Sequence, residues 1–350
     1  MIEPDMHTIS WKSPSNIALV KYWGKHGQQL PINPSLSITL RESTTTTEIR
    51  YSQNKSLGGF TLQFRFEGNP APAFEDRIRK FLTAQIPRYP ELNSFHLEID
   101  SSNTFPHSSG IASSASAYSA LALGIMSLVG KPKPERDREQ FFKAASELAR
   151  LGSGSASRSV YGGYVVWGAM DKYPSYSDQY AVPIQTKVHP VFQNMQDAIL
   201  IVNAGTKKIG SSAGHALMNN HPYAQARVQQ ANAHMNELHS VLENGNFSRF
   251  IEVVENEALS LHGLMMSSQP GYFLMEQNTF NIIHEIRSFR ESTKVPVCFT
   301  LDAGPNVHLL YPSGESKKVR EWISENLVKY CHEHKWIDDG TGDGPVLLKS

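Results

Sequence analysis

Pro106-His107-Ser108-Ser109-Gly110-Ile111-Ala112-Ser113-Ser114-Ala115-Ser116 is the stretch on which the fold turns. It follows the alternating run His96-Leu97-Glu98-Ile99-Asp100, which reads as a strand, and opens a small-residue helix expected from about Ala112 to Val129. A helix N-terminus offers unpaired N–H groups and the positive end of the helix dipole, which suits a phosphate. Gly110 lets the backbone approach closely, and the Ser113 and Ser114 hydroxyls suit phosphate oxygens or Mg²⁺. A serine-capped helix that packs through small residues would show the same letters, so the stretch alone leaves both readings open. It lacks the G-x-x-x-x-G-K-[ST] spacing of a Walker A loop.

Outward from this loop, residues 8–66 read as β-rich, with strands at Ser35 to Leu40, Thr44 to Tyr51 and Phe60 to Phe66. Amphipathic helices are expected over Glu75 to Ala84 and Arg136 to Leu151, and a short strand over Tyr161 to Trp167. A Pro-containing, irregular stretch from Tyr173 to Pro190 marks a boundary, dividing the chain into 1–190 and 191–350. The second part opens with a strand, Ala198 to Val202. Helices follow near Tyr223–Glu243, Phe247–Met266 and Asn278–Arg290. A strand pair (Val297–Leu301, Val307–Tyr311), a last helix (Lys317–His332) and a Gly-rich tail complete it. Strands and helices without regular β-α alternation argue for α+β.

Composition narrows the function. The 33 basic residues equal the 33 acidic ones, so nothing suggests a nucleic-acid surface or a membrane anchor, and an anionic ligand must be caught by a few local cations. Cys298 and Cys331 stand far apart, which fits a reducing cytoplasm rather than a disulfide framework. The polar N-terminus does not read as a signal peptide, and no stretch is long and apolar enough to span a bilayer. No His or Cys cluster has metal-ligand spacing.

Three more segments carry chemistry. Ser13-Pro14-Ser15-Asn16-Ile17-Ala18-Leu19-Val20-Lys21-Tyr22-Trp23-Gly24-Lys25, followed by Leu30-Pro31-Ile32-Asn33-Pro34-Ser35-Leu36-Ser37, places two lysines around an aromatic pair, which suits a compact cationic site but reads by itself more readily as a solvated strand with lysine tips. Gly152-Ser153-Gly154-Ser155-Ala156-Ser157-Arg158-Ser159 precedes Tyr161-Gly162-Gly163. Asp302-Ala303-Gly304-Pro305-Asn306 could by itself be no more than the start of a turn.

The 106–116 loop resembles the phosphate motif of the GHMP kinase superfamily. The string N-I-A-x-x-K-Y-W-G-K and the two later segments resemble, in family order, the signatures of diphosphomevalonate decarboxylases. The resemblance implies an α+β GHMP kinase fold: an N-terminal ribosomal protein S5 domain 2-like domain and a C-terminal ferredoxin-like α/β sandwich, often as a homodimer. It implies a lyase of isoprenoid biosynthesis that uses ATP and Mg²⁺. Such an enzyme phosphorylates the 3-hydroxyl of mevalonate 5-diphosphate, then releases CO₂ and phosphate to give isopentenyl diphosphate.

By the same resemblance Asp302 is the base, Lys21 its neighbour and Arg158 the holder of the substrate carboxylate and phosphates. Asn16, Tyr22, Lys25, Ser153, Ser155 and Ser211 bind substrate. Ser101, Asn103, Pro106, Gly110, Ala112, Ser113 and Ser114 bind the nucleotide, with Ser113 near Mg²⁺. The family segment K-K-x-S-S-x-x-G-M reads here Lys207-Lys208-Ile209-Gly210-Ser211-Ser212-Ala213-Gly214-His215, with Gly210 and His215 departing from the usual Ser and Met. A monophosphate substrate therefore stays open, as do a mevalonate 3-kinase and a ligand-sensing regulator without catalysis. Retention of Lys21, Arg158 and Asp302 argues against those last two. His215 and His262 are expected to be structural.

Overall fold

A computed structural model describes residues 6–54, 58–106, 111–130, 133, 135–205 and 211–350, with the side chains of residues 211 and 212 outside the description. The β-branched and alternating first part forms an eight-stranded mixed sheet. The runs expected at 35–40 and 44–51 join into one 19-residue strand, Ser35–Gln53. His7–Val20 pairs along nearly all of it, Tyr164–Trp167 pairs near its start and Phe95–Asn103 near its end. Thr61–Phe66 lies parallel to Phe95–Asn103, the two connected through the helix Pro72–Gln85. A parallel pair needs such a crossover.

The long pairing is interrupted once in a way that matters. Partners jump from Pro14 opposite Thr44 to Asn16 opposite Thr39, so residues 40–43 bulge out of the ladder. Their amides need acceptors, and Asp339 supplies them. Its Oδ1 accepts from the N–H of Arg41 (2.8 Å) and Glu42 (2.9 Å), and its Oδ2 from Ser43 (2.8 Å). Asp339 sits in the strand Trp336–Gly340 of the other sheet.

That second sheet is antiparallel, in the order Cys298–Leu301, Val307–Pro312, Met195–Leu200, Trp336–Gly340. Every residue of Met195–Leu200 and Val307–Pro312 is buried, because helices pack on both faces. Met195 and Ile199 meet Leu238 and Phe250 of the helices Ala224–Asn244 and Phe247–Ser267; Ala198 and Leu200 point the other way, toward Ile282 and Ile286 of Gln277–Thr293. The first of these clusters also takes in Ile17, Leu36 and Ile38 from the eight-stranded sheet. The two sheets therefore share one continuous core. On the first sheet, Ser113–Val129 and Arg138–Gly152 pack against Trp11, Ile49 and Leu97 through Leu121, Ile125, Phe141 and Leu148.

Two expectations need correction. The last helix is α-helical only over Ser316–Trp322; a π-turn, Ile323–Leu327, and a 3-10 turn, Val328–Tyr330, follow it. The Gly-rich tail holds two strands, Trp336–Gly340 and Val346–Lys349, and the latter pairs with His7–Val20 in the first sheet. Asp338-Asp339-Gly340 has poor strand propensity; the strand is held by its pairing with Met195–Leu200, and the Asp339 side chain answers the bulge. The division near residue 190 we keep as a proposal, with Val346–Lys349 placed in the first unit.

Asp339→Ala leaves three bulge amides without their acceptor. It is expected to lower the free energy of unfolding by about 2–4 kcal/mol in urea titration, with Asp339→Asn recovering part of the loss. A change below about 0.5 kcal/mol would show that water satisfies the bulge instead.

Candidate active site

A cavity of about 670 Å³ opens where the two sheets meet. Asn16, Lys21, Tyr22, Lys25, Ser101, Asn103, Ala112, Ser113, Ser114, Ser153, Ser155 and Arg158 line it from the first unit, and Asp302 from the second. Residues chosen from scattered stretches of sequence thus converge on one wall. Pro106 is exposed and does not line the cavity. Gly110 and the side chain of Ser211 lie outside the described residues.

Asp302 follows directly on the strand Cys298–Leu301, and its carbonyl accepts the Gly304 N–H at 2.8 Å, so it does begin a turn. His262 Nε2 lies 3.0 Å from the same carbonyl. Lys21 follows the strand His7–Val20. Its Nζ donates to the Ala18 carbonyl at 2.6 Å and to Asp302 Oδ1 at 3.3 Å, with only 2% of the side chain exposed. Burial lowers the Lys21 pKa; Asp302 and Glu257 push it back up, and Arg158 adds to the lowering.

Arg158 stands on the 3-10 turn Gly154–Val160, itself buried. Its Nη1 donates to Ser35 Oγ at 2.6 Å, and its Nε to Ser37 Oγ at 3.0 Å and to Asn16 Oδ1 at 3.3 Å. Asn16 in turn donates to Ser159 Oγ at 2.8 Å and to the Ser155 carbonyl at 3.1 Å, so it braces the arginine. Burial lowers the Arg158 pKa to about 10 against the pull of Asp302 and Tyr22, and the group stays cationic at neutral pH. Among the described residues no acceptor meets Nη2, which leaves one prong of the fork for an oxyanion.

Two polar atoms on the wall have no partner among the described residues although solvent does not reach them: Tyr22 Oη and Ser113 Oγ. Burial raises the Tyr22 pKa, so the phenol is a neutral donor. Gly154 lets that ring sit close, since a Cβ there would come within 2.8 Å of Tyr22 Oη. Ser113 begins the helix Ser113–Val129, whose first turn lines the cavity, and its free oxygen fits Mg²⁺ or a phosphate. Ser114, Ser153 and Ser155 continue a row of hydroxyls, with Oγ–Oγ distances of 3.2 and 3.5 Å. Ser101 bonds Thr47, and Asn103 accepts from Thr45, so both are also held by protein.

Apolar side chains also line the cavity, Phe64, Phe66, Phe74, Tyr118 and Leu121, together with Arg77. The sequence shows the Phe alternation, but not that one face of it would be turned into a cavity. Ser35 and Ser37, quoted above without a role, orient the arginine; only the strand pairing brings them to it. His215 lines the wall, ring against ring with Tyr22 and Trp23, and its Nδ1 accepts the Gly24 N–H at 2.9 Å. Burial, then Lys25 and Arg158, push its pKa down to about 3, so it is a neutral, buried residue.

The N-terminal part, residues 13–181, matches the family model of the diphosphomevalonate decarboxylase-like N-terminal domain. Residues 198–341 match that of the mevalonate 5-diphosphate decarboxylase C-terminal domain. The chain is 31% identical to the diphosphomevalonate decarboxylase of Ganoderma lucidum over 94% of its length and 84% of that protein. It superposes on the mevalonate diphosphate decarboxylase of Staphylococcus aureus with a TM-score of 0.83 and 29% identity, over 98% of each chain. It also superposes on MDDEF in complex with MVAPP, AMPPCP and magnesium, with a TM-score of 0.81 and 26% identity over 99% of this chain and 100% of that one.

His215 and His262 make acid stability measurable. Burial holds their folded pKa values near 3 and 4 against an ordinary 6.5. A depressed folded pKa gives stability that is complete above the unfolded value and drains as pH falls toward the folded one. Between pH 7.5 and 5 each should cost about 2 kcal/mol. Glu257, with a folded pKa of about 2 against an ordinary 4.5, adds nothing until lower pH. Urea midpoints across this range should fall, and less steeply in His215→Asn; an equal slope would mean that His215 is solvated.

Proposed function

The chain belongs to the diphosphomevalonate decarboxylase family, and from that premise we infer how its cavity carries out the reaction. The enzyme converts mevalonate 5-diphosphate and ATP to isopentenyl diphosphate, ADP, phosphate and CO₂, and it uses Mg²⁺. The observation that carries our assignment of roles is the Asp302 carboxylate, 3.3 Å from a buried ammonium and on the same cavity wall as the arginine fork.

A tertiary alcohol is a weak nucleophile, so its proton needs an acceptor as its oxygen attacks the γ-phosphorus of ATP. Asp302 takes that proton, and Lys21 keeps the carboxylate ionised and aimed. The bond between phosphorus and ADP breaks. Arg158 holds the substrate carboxylate. When the 3-phosphate leaves, the electron pair of the bond to CO₂ becomes the new double bond. Tyr22, Lys25, Ser153, Ser155 and Ser211 grip the 5-diphosphate; Ala112, Ser113 and Ser114 cradle the nucleotide phosphates, backed by Ser101 and Asn103. The adenine of ATP would pack against the apolar lining residues Phe64, Phe74 and Tyr118. Mg²⁺ supplies charge neutralisation between phosphate oxygens, and Ser113 is the residue that fits it.

We extend the proposal to a cytoplasmic homodimer that engages no nucleic acid. Two free thiols support the compartment and zero formal net charge the lack of a nucleic-acid partner, while the homodimer rests on the family resemblance alone.

ADP and CO₂ should appear one for one with mevalonate 5-diphosphate and not with mevalonate. The same products from mevalonate 5-phosphate alone would mean that the altered 207–215 segment has redirected specificity, and ADP without CO₂ would mean a kinase. Asp302→Asn should still bind both substrates and lose about 10²–10⁴-fold in kcat. Near-normal turnover of a folded variant would remove the role given to Asp302.

A further inference from the structure

Lys21 comes just after the strand His7–Val20, where neither its amide nor its carbonyl is held by the sheet ladder. Both are held by one buried ion pair. Glu257, fully buried on the helix Phe247–Ser267, accepts the Lys21 N–H through Oε2 at 2.8 Å. Arg227, on the helix Ala224–Asn244 and also buried, grips the two carboxylate oxygens at 2.6 and 2.7 Å. The same Nη2 reaches the Lys21 carbonyl at 3.1 Å, where Asn33 adds a second donor at 3.0 Å. His234 Nδ1 lies 2.6 Å from Glu257 Oε1. Neither Arg227 nor Glu257 lines the cavity.

A buried ion pair is a poor source of stability. Desolvating both ions rivals their attraction, and apolar side chains of similar volume often serve as well. Position explains this one better. The pair ties two helices of the second unit to the peptide of a first-unit lysine, and that lysine's ammonium reaches across to Asp302 of the second unit.

We propose that Arg227 and Glu257 are positioning residues for the reaction: they fix the Lys21 peptide so that its ammonium stays on Asp302. This rests on the reading of Lys21 as the partner of Asp302. Charge adds to geometry. Burial alone would raise the Glu257 pKa, but His234, Arg227 and the Lys21 amide hold it at about 2, so the group is anionic at working pH. Among the groups around the Lys21 ammonium, Asp302 and Glu257 favour its proton and Arg158 opposes it, and the buried Asp197 and His262 also feel its charge.

The test compares Arg227→Met/Glu257→Met, Glu257→Gln and Lys21→Met in the full-length enzyme, with kcat, both KM values, the pH profile of kcat and thermal melting. The double variant should melt cooperatively and keep both KM values. Its kcat should fall on the order of 10- to 100-fold, as a displaced catalytic group would cause. Glu257→Gln keeps an acceptor for the Lys21 amide and loses the charge. It should fall less, with the alkaline limb of kcat moved to lower pH as the ammonium loses its proton more easily; a merely structural role would not move that limb. A folded double variant within about twofold of the unaltered kcat, or one altered only in KM, overturns the proposal. If the double variant does not fold, Glu257→Gln decides: an unchanged kcat together with an unchanged alkaline limb overturns it. If Lys21→Met itself turns over normally, the role given to Lys21 fails instead.

Discussion

The contact between Lys21 and Asp302 is the constraint on which the rest depends, because its two ends are carried by different sheets. Keeping an ion pair at 3.3 Å requires the two sheets to stay in place against one another. Three features hold them. One core runs through Ile17, Leu36 and Ile38 into Met195, Leu238 and Phe250. The Asp339 carboxylate closes the bulge at residues 41–43. The Arg227–Glu257 pair grips the Lys21 peptide. The last strand adds a fourth tie, since Val346–Lys349 returns to pair with the first strand.

Much of what surrounds the cavity is unfavourable for stability. Lys21, Arg158 and Glu257 are charges out of water, and each survives only because partners stand ready. Tyr22 Oη and Ser113 Oγ are polar atoms left without a partner among the described residues. An apolar wall of the same shape would be more stable. Such violations gather where a ligand supplies the missing partner, and here they face the same space as the base and the arginine.

How much of this the sequence discloses depends on how far apart cause and effect lie along the chain. The helix Ser113–Val129 was legible because its small residues are contiguous, although its N-terminus, at Ala112 with φ 43°, carries no side-chain cap. Lys21, Arg158 and Asp302 could be grouped only through resemblance, since nothing at Lys21 or Arg158 alone points to Asp302. The partners of those residues were not legible at all. Ser35 and Ser37 meet Arg158 over more than a hundred residues of chain, and Glu257 meets Lys21 over more than two hundred. Periodicity cannot register such contacts. The tail strands were missed for a related reason: Trp336–Gly340 is a strand through its pairing with Met195–Leu200, far away along the chain.

The charge balance of the whole chain hides the one imbalance that matters. With 33 basic and 33 acidic residues, the chain carries no overall excess of charge. Among the described residues lining the cavity, however, Lys21, Lys25, Arg77 and Arg158 stand against a single carboxylate, Asp302. Burial places two of these cations where water screens them least, and His215 beside them stays neutral. Attraction is thus concentrated where phosphates and a carboxylate must sit together. Because Lys21 and Arg158 are braced by protein before any ligand arrives, little reorganisation is left for the moment of reaction.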